Sequence, residues 1–232
     1  MFGTFLQIET LLQDSIVAGE LQESIYQVLK TKFIEGNPYF MSVITFILVL
    51  GVAFCIERII YLYLAQINAK KLLNEIEKHL NEGKLDEAKQ TAKNTRGPIA
   101  SICYQALERS EEDIDVIDKS ITAYGSVQVS LLEKNLPWIT LFIAAAPALG
   151  FLGTVMGMIE AFEKIQAFGD INPSIVAGGM KFALITTVGG LIVALILQFF
   201  YNFILTRIEK IVRQMETASI SLLDLLIRYK KR

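Results

Sequence analysis

Three stretches of this chain carry no charged residue: Asn37 to Ile56, Asn135 to Ile159 and Phe182 to Thr206, of 20, 25 and 25 residues. A helix rises about 1.5 Å per residue, so about 20 apolar residues cross the ~30 Å hydrocarbon core of a bilayer. The chain is 53% apolar and 20% charged, against about 45–50% and about 25% in a soluble domain. That excess is modest as an average, but it is concentrated in the three runs. They exclude an ordinary soluble enzyme of one or two domains. A nucleic-acid binder is excluded too, because 22 basic residues against 24 acidic ones leave no excess to neutralise phosphates.

The expected fold is therefore all-α: a polytopic membrane protein with three transmembrane helices. Lys and Arg near the span ends set its orientation. Met1 to Gly36 holds two basic residues, Lys30 and Lys32, against five acids; Gln66 to Asn135 holds ten; the tail after Thr206 holds seven. The turn from Phe168 to Pro173 carries only Asp170. All three spans then agree on a periplasmic N-terminus, a cytoplasmic middle loop, a periplasmic turn and a cytoplasmic C-terminus, with long helical extensions into the cytoplasm. The expected division is a periplasmic amphipathic helix over 1–36, the first span over 37–65 and a cytoplasmic helical loop over 66–135. The second span follows over 136–167, the turn over 168–173, the third span over 174–206 and a cytoplasmic helical tail over 207–232.

Outside the spans the pattern is helical. Phe5, Ile8, Leu12 and Ile16 recur at three and four residues, with Glu9, Gln13 and Glu20 between them, as in a helix lying on a membrane or on a neighbouring subunit. No basic n-region or small-residue cleavage site precedes them, so no cleavable signal peptide is expected. Leu72, Leu73, Ile76 and Leu80 share one side of the next segment, and Gly97-Pro98 marks a break. Another helix opens near Glu111 and has no obvious stop before Leu136, which leaves open that it runs straight into the second span. The single histidine, His79, reads as a solvated surface residue and cannot build a metal site alone. Cys55 and Cys103 are poor candidates for a disulfide. With no P-loop, dinucleotide fingerprint or nucleophile–base pair, neither enzyme activity nor a cofactor is expected.

Function must then reside in the membrane, where small and polar residues are informative. In the second span Pro147, Gly150, Thr154, Gly157 and Ala161 recur on one face; in the third, Ala183, Thr187, Gly190 and Ala194 do the same, with Gln198 beyond them. Small residues let helix backbones approach closely, and Gly153 and Gly157 have the Gly-xxx-Gly spacing. A threonine can also bond only its own helix. Two consecutive spans that each present a narrow small stripe with one hydroxyl can instead line a water-filled path, where a hydroxyl both donates and accepts. No carboxylate lies mid-span. Glu57 and Arg58 close the first span, Glu160 lies near the outer end of the second, and Lys181 in the outer part of the third; these are candidate charge contacts. A proton-driven device built on this chain needs its titratable group from a partner.

The run Ala146-Pro147-Ala148-Leu149-Gly150-Phe151-Leu152-Gly153-Thr154-Val155-Met156-Gly157-Met158-Ile159, followed by Ala161-Phe162, resembles the signature second span of the MotA/TolQ/ExbB proton-channel family. Ala183-Leu184-Ile185-Thr186-Thr187, then Gly190 to Ala194, resembles its third span, and Tyr201-Asn202 and Glu57-Arg58 resemble ExbB and TolQ span ends. The similarity covers about Tyr39 to the C-terminus. It implies a ring subunit, a homopentamer around two transmembrane helices of an ExbD- or TolR-like protein with an intramembrane aspartate. It further implies a TonB- or TolA-like partner and proton-driven work on the outer membrane from the bacterial inner membrane. The family's pore threonines correspond to Thr154 and Thr187. Where the family has a glutamate five residues before the second threonine, this chain has Phe182 beside Lys181, and Val193 to Ile196 lacks the family's late proline. A TolQ-type motor, a flagellar stator (a branch that typically has four spans) and a passive membrane scaffold are the alternatives.

Overall fold

The computed structural model describes residues 26–169 and 173–231, and its elements among these residues are all helices. Helix α1 covers 26–35 and ends at Gly36. There follow α2 (Pro38–Ala65), α3 (Ala69–Asn81), α4 (Leu85–Asn94), α5 (Pro98–Glu108), α6 (Ile114–Leu132), α7 (Leu136–Phe168) and α8 (Pro173–Lys230). Three stretches are long and apolar enough to cross a membrane: Pro38–Asn81, Ile114–Ala167 and Pro173–Lys230. The amphipathic pattern of Phe5, Ile8, Leu12 and Ile16 lies outside the described residues, as does Asp170.

The chain forms two compact units, one from residues up to Val49 with Phe142–Ile196, the other from Leu50–Leu141 with Leu197–Arg232. In the first, α1 passes to α2 through Asn37, whose φ is 60° and whose side-chain oxygen accepts the Tyr39 N–H at 3.0 Å. Pro38 at the first helical position loses nothing there, since that N–H has no intrahelical acceptor. Phe40 meets Phe182 edge to face, with ring centroids 6.0 Å apart.

In the second unit α3 packs on α4, α4 on α5 and α5 on α6. Leu72, Ile76 and Leu80 are buried on α3, at the spacing of one helical face. Asn68 caps that helix by accepting the Lys71 N–H at 3.2 Å. Gly97 has φ 113°, and a Cβ there would lie 2.8 Å from the Ala65 carbonyl oxygen, so both conformation and space require glycine. Cys55 and Cys103 are buried free thiols. His79 is more covered than its sequence context suggests: its side chain is 25% exposed and lies 3.2 Å from Glu87.

The helix that opens near residue 111 does not run into the second span. α6 ends at Leu132, Asn135 takes a φ of 69°, and α7 starts at Leu136. Asparagine tolerates this left-handed conformation and Pro137 suits a helix start. A tertiary clasp holds the break. The Arg58 side chain, 3% exposed, donates Nη1–H to the Leu131 carbonyl at 3.2 Å, one of the acceptors α6 leaves free at its end. Its Nε and Nη2 grip both Glu57 carboxylate oxygens at 2.7 and 2.5 Å, and Asn135 donates Nδ2–H to Glu57 at 3.2 Å. Tyr61 lies under the guanidinium, 4.6 Å from ring centre to Cζ. Glu57 and Arg58 thus serve each other and the α6–α7 junction. α8, by contrast, continues unbroken from Pro173 to Lys230.

A sealed glycine seam and its threonine edge

The α7–α8 pair in the first unit is held by backbone contact. A Cβ on Gly190 would lie 2.4 Å from the Ala146 carbonyl oxygen, and one on Gly150 would lie 2.9 Å from the Thr186 carbonyl oxygen and 3.0 Å from the Thr187 Cα. One on Gly153 would lie 2.4 Å from the Thr186 hydroxyl, and one on Gly157 would lie 2.6 Å from the Phe182 ring and 2.9 Å from the Gly179 carbonyl. At each of these four glycines a Cβ would collide with the facing helix, with its backbone at Gly150 and Gly190 and with the Thr186 and Phe182 side chains at Gly153 and Gly157. Close approach through small residues is how membrane helices gain packing energy when lipid tails offer no hydrophobic incentive to associate.

The seam runs through Ala146, Gly150, Gly153, Gly157 and Ala161 on α7, and through Ala183, Thr186 and Gly190 on α8. Both sequence stripes straddle it. Gly150, Gly157, Ala183 and Gly190 lie inside, whereas Pro147, Thr154, Thr187 and Ala194 lie one residue aside, half-buried at its edge. The edge is where polar atoms remain within reach of water or a neighbour. Thr187 has its hydroxyl 3.3 Å from both the Gly150 and the Ala183 carbonyls, and donates to one of them. Thr154 donates to the Phe151 carbonyl at 2.6 Å. Pro147 has no N–H, so the Ile143 carbonyl lacks its usual helical donor.

Thr186 did not stand out in the sequence. It is fully buried, donates to the Ala183 carbonyl at 2.8 Å, and has the Phe182 and Gly150 carbonyls at 3.3 and 3.4 Å. Its signal was a spacing of three from Ala183 and four to Gly190, the same face as both.

Lys181 and Glu160, two of the candidate charge contacts, are each paired. Lys181 donates to Glu35 at 2.5 Å across 146 positions, and Lys32 reaches the other Glu35 oxygen at 3.0 Å. Glu160 pairs with Lys164 at 2.7 Å, one turn along α7. Glu35, Asn37, Glu160 and Lys164 line one cleft with Gly178 and Gly179. Hydrogen bonds from Lys181 and then Lys32 hold the Glu35 carboxyl below its ordinary value of 4.5. A lowered value means the contact stabilises the folded state above the ordinary glutamate range and is lost as pH falls through the lowered value. The thermal midpoint of the wild-type protein should therefore drop in that acid window by more than that of Glu35→Gln. A wild-type-to-variant difference constant across pH would remove this role.

These features define a class: a helical membrane protein with three candidate spans, two of them joined by a side-chain-poor seam flanked by threonines. The particular family follows from comparison with known proteins. A model described as the MotA/TolQ/ExbB proton channel family matches residues 94–217, more than half the chain, and the protein belongs to that family. Among its relatives, an ExbB homologue of Methanothermobacter thermautotrophicus, named as a biopolymer transport protein, is 27% identical over 180 residues, covering 75% of this chain and 64% of the relative. The biopolymer transport protein ExbB of Neisseria gonorrhoeae is 26% identical over 204 residues, covering 80% and 90%. An ExbB of Vibrio cholerae is 43% identical over 63 residues, covering 27% of this chain and 28% of that protein. The chain thus spans just under two thirds of the Methanothermobacter relative, and it is an ExbB-like membrane protein.

Proposed function

We propose that the chain is the ring subunit of an inner-membrane motor of the ExbB type, driven by the proton-motive force and coupling proton flow to work on the outer membrane, such as TonB-dependent import. One observation carries the proposal: Thr154 and Thr187 are half-buried at the edge of a sealed seam, in spans with no carboxylate, lysine, arginine or histidine between Asn135 and Ile159 or between Phe182 and Thr206. Hydroxyls can hand a proton along without the cost of a buried charge, but they cannot store one. The storing group is an aspartate on the single span of an ExbD-like partner, around which copies of this chain, five in the family's pattern, close a ring. Exposed apolar side chains such as Phe46 on α2, Phe151 and Val155 on α7, and Leu184, Leu191 and Leu195 on α8 suit contact with lipid or neighbouring subunits. The distribution of Lys and Arg supports an outward N-terminus and an inward tail. A TonB-like protein would take up the motion.

The test is native mass spectrometry of the chain purified in mild detergent, alone and co-expressed with the products of its neighbouring genes. The expected species is a closed ring retaining a small single-span protein with an intramembrane aspartate. A monomer or dimer without such a partner, reproduced across detergents, would leave the seam to a passive scaffold.

A further inference from the structure

We propose that the second unit carries a binding site for one anionic glycerophospholipid, in a cleft between the end of α2 and the middle of α8. The cleft changes character along its length. Its first section is walled by Ile59, Leu62, Tyr63 and Phe203, of which Tyr63 is 80% and Phe203 44% exposed. Its continuation shares Gln66 and Lys210 with the first and adds Lys70, Arg213 and Gln214. Arg207 stands at the junction, its guanidinium 5.2 Å from the centre of the Phe203 ring, which holds the charge over the apolar mouth.

The position matches the boundary of a bilayer. The last charge-free run ends at Thr206, so Phe203 lies at the level of the acyl chains and Arg207 at the level of the headgroups. From Ile59 to Gln66, or Phe203 to Lys210, is seven residues, about 10 Å of helix, enough to pass from the upper acyl region through the ~5–8 Å headgroup layer. Arg207, Lys210 and Gln214 recur at three and four residues and present one face.

Charge decides the occupant. No carboxylate lines either section. Arg207, Lys210 and Lys70 make no ion pair among the described residues, and Arg213 has only Glu209, one turn away on the same helix at 4.0 Å. Four cations therefore converge on a cleft whose other end is apolar. A soluble phosphate would satisfy the cations and leave Tyr63 and Phe203 unused; a zwitterionic lipid would fill the apolar section and bring its own cation to the basic end. Gln214 lines the same section, and its amide oxygen is buried without a donor. The site requires that the chain span a membrane, but it requires no ring, partner or orientation.

The experiment uses the full chain, delipidated in mild detergent and titrated with phosphatidylglycerol or phosphatidylcholine of equal chain length, with bound lipid counted by native mass spectrometry. The wild-type protein should retain one phosphatidylglycerol in preference to phosphatidylcholine. Lys210→Gln with Arg213→Gln should weaken that binding about tenfold or more, since each basic side chain near a membrane surface contributes appreciably to anionic-lipid binding. The charge-matched control, Lys93→Gln with Lys119→Gln on α4 and α6, should bind as the wild type does. Equal retention of both lipids by the wild-type protein overturns the proposal, as does equal affinity of the Lys210/Arg213 variant. Displacement of the lipid by millimolar inorganic phosphate also overturns it, assigning the site to a free anion. Should the double variant not fold, the wild-type preference and the phosphate competition decide. Ring formation does not enter any of these readouts, so this site can fail while the proposed function stands, and the reverse.

Discussion

Replacing Gly190 with leucine should prevent the α7–α8 pair from forming, and even Gly190→Ala should lower stability by about 1–3 kcal/mol, the usual range for overpacking. The reason is what the new atom meets. A Cβ at Gly190 would lie 2.4 Å from the Ala146 carbonyl oxygen and 3.3 Å from the Gly150 Cα. Both are backbone atoms of a helix, so no rotamer change makes room and the helices must separate. Separation also lengthens the contacts of the Thr186 and Thr187 hydroxyls with the Gly150 carbonyl, and no hydrophobic effect in lipid repays the loss. Gly178 is the internal control. It lies on the same helix with nothing within 4 Å of its notional Cβ, so Gly178→Ala should be neutral or slightly stabilising through helix propensity. Thermal midpoints in one detergent check this, with recovery of folded protein as the readout for leucine. Equal midpoints for Gly190→Ala and Gly178→Ala would mean that the seam is looser than these distances.

The second large effect is functional and spares the fold. Thr187→Val should leave the protein assembled and reduce proton flux by about a hundredfold or more, the scale on which a positioned proton-transfer group acts. The structural cost is small because the hydroxyl's carbonyls lie at 3.3 Å and one of them belongs to its own helix; hydrogen bonds between membrane helices average about 0.6 kcal/mol. Thr187→Ser keeps the hydroxyl and should conduct. Dye-monitored proton uptake into vesicles containing the chain with the single-span partner proposed for it, alongside native mass spectrometry of the same preparations, separates coupling from assembly. A valine variant that assembles and conducts normally would assign Thr187 to packing alone. Thr186→Val is the contrasting substitution. Thr186 is fully buried against Gly153, so its loss should appear first as a lower thermal midpoint.

The resemblance that led from the sequence to the family rested on the small-residue runs of the second and third spans, and the family match over 94–217 contains both of them. The same runs were ambiguous about side-chain roles. A stripe read at three- and four-residue steps spans enough of a helix surface to admit two neighbouring registers, and here it straddled them. Gly150, Gly157, Ala183 and Gly190 belong to the seam, while Thr154, Thr187, Pro147 and Ala194 flank it. Only contact with the other helix distinguishes Thr186 from Thr187, because adjacent residues differ by about 100° in direction and by nothing in chemistry.

What the sequence determined by itself is one-dimensional. Three charge-free runs long enough to cross a bilayer point to three spans, because the remainder of a 232-residue chain is too small to bury three uninterrupted apolar helices. What the tertiary structure decided depends on partners distant in the chain. Lys181, legible only as a charge in an apolar span, is matched by Glu35 across 146 positions. Arg58 closes on Leu131 as well as on its neighbour Glu57, and with Asn135 it ends α6 where periodicity alone left open whether the helix ran onward. Periodicity states which side of a helix is apolar or small; it does not state what stands opposite, and in a low-dielectric interior the opposite group decides whether a charge or a hydroxyl is tolerable.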